Sequence, residues 1–203
     1  YGDEHLGELM IEPEVLAKDV AWLDSQGMTV KIHATGDRAV RAALDAFEHA
    51  RNTNVVAGAM HEISHAEMIH PDDLVRFDDL NVAAEMCPIL WYPGPAVDTM
   101  KITLGDRANY FWPVKSLTEA GALVFYGSDW PAVVPDTNPW PGIEAMVSRE
   151  DPYGKNPGKY WPEQAVDLKT ALRIFTINGA VAGKQEKTTG SLEAGKRADF
   201  IIL

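Results

Sequence analysis

The residues in this 203-residue chain able to hold a metal or move a proton are its six histidines, one cysteine and 30 acidic residues, and their placement singles out a few. His33 closes the β-branched run 28–33. His65 closes a second run, 55–64, and Asp129 follows a third, in Gly127-Ser128-Asp129-Trp130-Pro131. Two imidazoles and one carboxylate at equivalent strand ends form an N/O donor set suited to zinc, with manganese, iron and nickel as neighbours in preference. A metal so held makes hydroxide from bound water near neutral pH, the reagent needed to hydrolyse a carbonyl compound.

A rival pattern lies in the same stretch. His61-Glu62-Ile63-Ser64-His65 matches HExxH, the zinc signature of helical metallopeptidases, with Glu85 downstream as a third ligand. That chemistry requires a helix, which sets the two histidines one turn apart. The residues before His61 are β-branched and small, Pro71 follows soon after, and Glu85 precedes Cys87-Pro88, so a strand is the better reading. His61 is then expected in the interior, inside a barrel if the strands close into one, or behind the site. His5, His49 and His70 fall where surface or capping roles are expected.

Strands alternating with helices must deliver these groups. A leading helix over 14–25 precedes four units: a strand at 28–33 with a helix from Asp37, a strand at 55–64 with a helix at 71–80, a strand at 82–86 with a helix at 113–120, and a strand at 123–126 with a helix begun at Asp167. Asp37 is read as a helix cap. Such alternation implies a parallel sheet whose strands are apolar on both faces, hence the α/β class. No GxGxxG follows a strand. Polar groups converging from several strand ends favour a (β/α)8 barrel over an open doubly wound sheet, and four units are about half of one.

Composition narrows the partners. With 46% hydrophobic, 24% charged and 9% aromatic residues, the chain packs a core. The balance of 18 basic against 30 acidic residues leaves −12, and no basic run opposes it, so nucleic acid is not an expected partner. No apolar stretch nears the roughly 20 residues that cross a bilayer, so no membrane partner is expected. Cys87 is the single cysteine and makes no intrachain disulfide. Because the chain starts at Tyr1 and stops in an apolar run, it reads as an excerpt of a longer polypeptide; the compartment stays open, with the cytoplasm favoured.

Several motifs together resemble amidohydrolase family three of the amidohydrolase superfamily, which includes N-substituted formamide deformylases. They are His33-Ala34-Thr35-Gly36-Asp37-Arg38-Ala39-Val40, Ser64-His65-Ala66, the stretch 117–131, Thr176-Ile177-Asn178-Gly179-Ala180, and the stretch 190–199. The resemblance implies the carboxyl-terminal half of a TIM (β/α)8 barrel, strands five to eight, within 1–189, and the start of a small β-sandwich strand within 190–203. It implies His33 as the strand-five ligand, His65 as the strand-six ligand and Asp129 as the strand-eight aspartate, with one or two zinc ions or another divalent metal in the complete enzyme. The family usually carries Glu where this chain has Ser64, and Gln where it has Cys87. The strand-one HxH pair and the strand-four bridging residue lie outside the chain.

The implied activity is hydrolysis of C–N bonds in a small amide or cyclic amide, Asp129 shuttling the proton and His65 polarising. Asp37 is a helix cap or a support behind the site. Trp112, Trp130, Trp140 and Trp161, with the prolines from Pro131 to Pro162, are expected to line a substrate lid or to pack among themselves. The competing reading is a non-catalytic half-barrel. On either reading open strand edges, and inner faces rich in Val, Ile, Ala and Met, call for a homo-oligomer or for the missing amino-terminal half.

Overall fold

The computed structural model describes residues 6–54, 58–132, 134 and 136–202. Four strands, β1 (Lys31–Ala34), β2 (His61–His65), β3 (Val82–Met86) and β4 (Val124–Tyr126), pair in parallel in the order β1-β2-β3-β4. That order lacks the reversal of a doubly wound sheet and is the order of consecutive staves. Every strand ends within a residue or two of its expected carboxyl end, although 28–30 form no strand and 55–57 lie outside the described residues.

The helices are α1 (Pro13–Ser25), α2 (Asp37–Thr53), α3 (Arg76–Asp79), α4 (Pro95–Leu104), α5 (Val114–Glu119), α6 (Trp140–Ser148), α7 (Leu168–Ile174) and α8 (Ile177–Ala182). Three expectations change in detail. The helix expected at 71–80 is a 3-10 turn (Pro71–Asp73) followed by α3. Gly36 and not Asp37 holds the cap position of α2; Asp37 is the first helical residue, its carboxylate accepting from Arg38 N and from Arg107 Nη2, the latter at 2.7 and 2.9 Å. The stretch after β3 is helical in part: α4 forms there although Ile102 points into solvent, leaving no apolar stripe to read.

One face of the sheet is apolar and the other is not. Ile32, Ala34, Ile63, Val82, Ala84, Met86 and Val124 face the helices and join the main core with Val20, Val40, Leu44, Phe47, Phe77 and Leu117. Lys31, His33, Glu62, Ser64 and Glu85 alternate with them onto the opposite face, together with Ala83 and Phe125. The sheet is therefore not apolar on both faces, and its open face is not the expected surface of Val, Ile, Ala and Met.

His61 belongs to the helix side. It lies in a strand and not a helix, which removes the metallopeptidase geometry, and it points away from the face bearing His33, which corrects its expected place inside the barrel or behind the site. Fully buried, its ring stacks on Phe47 at 4.7 Å, its Nδ1 accepts from Val30 N, and its Nε2 meets Asp24 Oδ1 at 3.0 Å. Asp24 also takes Arg51 Nη1 and Asn54 Nδ2, both at 2.8 Å. This polar node fastens α1 and α2 to β2.

No strand forms among the described residues of 190–202. Phe200, Ile201 and Ile202 stand exposed, since a strand needs a partner and none of the described residues supplies one.

Candidate functional site

The carboxyl end of the sheet gathers the three residues singled out by type. His33 points from β1 onto the polar face, and its ring meets that of His65 edge-on at 4.5 Å. By alternation His65 should follow His61 and Ile63 toward the helices. It leaves β2 with φ 70°, in the left-handed region that a non-glycine residue enters at a cost, and its ring swings to His33. Asp129, also left-handed at φ 53°, places Oδ1 3.7 Å from His65 Nε2. The side chains of His65 and Asp129 are largely buried, while His33 is exposed.

Carboxylates surround this meeting point. Glu67 Oε1 stands 3.7 Å from His65 Nδ1, on the side of the ring away from Asp129. Glu67 above all, then the charges of Asp129 and Glu85, hold the His65 imidazole above its ordinary pKa despite burial. Such a field favours any cation, a metal ion included. The donors fit a divalent metal in kind. In number they do not: among the described residues no three His, Cys, Asp or Glu groups come together closely enough to hold an ion. Cys87, buried beside them, adds no thiolate, since burial and then the charges of Glu85, Asp129 and Glu67 push its thiol up to about 12.

Beneath the strand ends runs a charged chain that the spacing of histidines did not reveal. Glu85 pairs with Lys31 Nζ at 2.8 Å and accepts from Ser64 Oγ at 2.5 Å; Lys31 also reaches Glu62 at 3.4 Å. Its signal was present in the strands: Lys31, Glu62 and Glu85 sit at alternate positions among apolar neighbours, a pattern at odds with strands buried on both faces.

The tryptophans divide. Trp112 and Trp161 are buried with Trp91, Phe111 and Tyr160 in one aromatic cluster, so they wall no substrate space. Arg149, fully buried there, lies 5.3 Å from the Trp91 ring and donates to the carbonyls of Tyr160 and Trp112; burial lowers its pKa to about 10. Trp130 and Trp140 are exposed. His49 lies on the outer face of α2 and His70 accepts from Asp72 N at the start of a 3-10 turn, the surface and capping roles expected of them; His5 lies outside the described residues. A cavity of about 300 Å³ opens beside His33, between Ile32 and Thr35 on one side and Leu9, Met10 and Ile11 on the other. A larger one, about 610 Å³, lies between α8 and residues 189–200, lined by none of the three site residues. No helix among the described residues is long and apolar enough to cross a membrane.

Comparison with known proteins places the chain in a family. The chain is 31% identical over 194 residues to Protein LONG AFTER FAR-RED 3 of Arabidopsis thaliana, covering 96% of the chain and 33% of that protein. It is 30% identical over 177 residues to the N-substituted formamide deformylase of Arthrobacter pascens, covering 87% of the chain and 32% of the relative. Among solved structures, a metal-dependent hydrolase from Pyrococcus furiosus superposes with a TM-score of 0.74 at 27% identity, over 95% of this chain and 36% of that one. The chain thus spans about a third of the length of these relatives. The amidohydrolase family model matches residues 3–203, nearly end to end. The chain belongs to the amidohydrolase family.

Proposed function

We propose that this chain supplies half of the active site of a divalent-metal hydrolase that cleaves C–N bonds of small amides or cyclic amides. The observation that carries the reading is the meeting of His33, His65 and Asp129 at the carboxyl end of a parallel sheet, where (β/α)8 enzymes hold their chemistry. The sheet is read as staves five to eight of such a barrel. His33, His65 and Asp129 would hold the metal, zinc being the first choice for two imidazoles and a carboxylate, with the missing donors coming from the rest of the protein. Bound there, the metal would supply Lewis acidity and a nucleophilic water near neutral pH.

The chain's own residues do the remainder. Asp129, a carboxylate at the mouth of the site, takes the proton of the attacking water at Oδ1 or Oδ2 and returns it to the departing nitrogen, so that an amine and not an amide anion leaves. His65, held between Glu67 and Asp129, keeps one ring nitrogen toward the reacting centre. Trp130, next to Asp129 and exposed, offers an apolar wall to a substituent on the amide nitrogen. Relatives support the reaction class: one is an N-substituted formamide deformylase, another a 5-methylthioadenosine/S-adenosylhomocysteine deaminase, another an imidazolonepropionase.

The test is the Asp129→Asn variant of the complete enzyme, assayed for amine release from a panel of N-substituted formamides and cyclic amides. An amide cannot accept the proton, so turnover should fall by about 10²-fold or more with the fold retained. Turnover near that of the parent would reject the role. The second reading, a non-catalytic half-barrel that assembles with another chain, draws on the edges of β1 and β4, free of further strands among the described residues, and predicts no amine release from the parent either.

A further inference from the structure

Glu85 touches each strand that carries a proposed ligand, always just below that ligand. Its Oε1 takes Lys31 Nζ at 2.8 Å, and Lys31 lies two residues before His33 on the same face of β1. Its Oε2 takes the hydroxyl of Ser64, the residue before His65. Its Cγ and Cδ lie across Gly127, two residues before Asp129: a Cβ at 127 would stand 2.7 Å from Glu85 Cδ and Oε1, so close that the Glu85 side chain would have to shift. Glycine at 127 is what lets the carboxylate pass beneath the end of β4.

Backbone pairing thins at this level, continuing past it between β1 and β2. The paired register of β2 and β3 stops at Ser64 and Glu85, and beyond β4 Gly127 N makes one more bond, to Met86 O. His65, although its backbone is left-handed, still pairs with Ala34 of β1, whereas Asp129, also left-handed, lies three residues beyond the end of β4. The placement of Asp129 against the two histidines, and the setting of their rings, therefore needs side-chain contacts. Both oxygens of the largely buried Glu85 carboxylate are engaged, one by Lys31 of β1 and the other by Ser64 of β2, which fixes its plane as well as its position.

We infer that Glu85 is a positioning residue, a crosspiece from β3 to Lys31, Ser64 and Gly127 that sets the spacing of His33, His65 and Asp129. Its consequence for metal binding rests on the function proposed above; the geometry itself does not. An ion pair with only a stabilising role would leave that spacing alone, because Lys31 still has Glu62 at 3.4 Å when Glu85 is gone.

The experiment uses crystal structures and zinc affinity, by chelator competition, of the protein and its Glu85→Ala, Glu85→Gln, Gly127→Ala and Glu85→Ala/Gly127→Ala forms. In metal-free Glu85→Ala the His33–His65 edge contact and the His65–Asp129 approach should be lost. Zinc affinity should fall by about 10- to 100-fold, the usual effect of removing a residue that orients ligands. Glu85→Gln should lose less, since its amide oxygen still accepts from Ser64. Gly127→Ala should weaken zinc in the parent but add nothing when Glu85 is already Ala, the non-additivity of two changes acting through one contact. Unchanged ligand spacing in Glu85→Ala, or fully additive losses in the double form, would overturn the inference. A parent that binds no zinc while Glu85→Ala still shifts the two histidines would refute the metal reading and leave the crosspiece standing. If Glu85→Ala does not fold, Glu85→Gln and Gly127→Ala decide by the same two readouts.

Discussion

His61 and His65 sit four positions apart on one strand and do opposite work, a difference decided by what surrounds each ring. Burial, then the positive charge of Arg51, keeps His61 below the ordinary imidazole pKa, so it is neutral at pH 7. Burial alone would raise the Asp24 carboxyl, but the Asn54 amide, Arg51 and His61 outweigh it and hold Asp24 ionised to lower pH than usual. Both groups bind protons less readily in the folded chain than in the unfolded one. Stability is then full above the unfolded imidazole value of 6.5, begins to fall as pH drops below it through the folded value of His61, and falls further once Asp24 protonates below 3.8. Replacing His61 by Ala removes the Phe47 stack and two hydrogen bonds and leaves Val30 N without its acceptor, while Asp24 keeps Arg51 and Asn54, a loss of about 3 kcal/mol. Urea unfolding at pH 7 measures it, and the same titration from pH 7 to 5 should be flatter in His61→Gln than in the parent. Equal pH profiles would show that this ring is not the titrating group.

At the scale of elements, the strands were readable because each is a short apolar run and three of the four are followed by a polar residue, and α1, α2 and α7 because each shows a helical stripe or a capping residue; Asp167 accepts from Thr170 N at the head of α7 as its position suggested. What escaped lacked a local signal. In α4 a residue as apolar as Ile102 is exposed, and α8 contains Asn178, whose amide bonds the carbonyl of Val124 in β4, and Gly179. Those helices form because tertiary contacts hold them, which propensity cannot foresee. Of the site, His33, His65 and Asp129 were legible as strand-end donors. Lys31, Glu62 and Glu85 showed only as charges inside apolar runs, because their pairing depends on which strands are neighbours, and Glu67 gave no signal, because its meaning depends on the left-handed turn at His65.

For the molecule as a whole, the polar face changes the argument for assembly. Exposing Lys31, His33, Glu62, Ser64 and Glu85 to water is cheap, so the drive to associate comes from elsewhere: the edges of β1 and β4, which pair with no further strand among the described residues, and the exposed Phe200, Ile201 and Ile202. With a net charge of −12, self-repulsion opposes that drive and salt screens it. Light scattering on the isolated 203-residue chain should therefore show association at micromolar concentration that strengthens between low and physiological ionic strength. A monomer at every salt concentration would mean that the edges and tail are satisfied within the chain, and the half-barrel reading would fail with it.

The most direct test of the account is metal content. After saturation with zinc and exhaustive dialysis, elemental analysis of the complete protein and of its His33→Ala/His65→Ala form asks whether these strand-end residues hold the ion on which the proposed hydrolysis depends. The account predicts zinc retained in stoichiometric amount by the parent and lost, or reduced to a small fraction, in the double variant with the fold intact by circular dichroism. Zinc retained equally by both, or by neither, would contradict it.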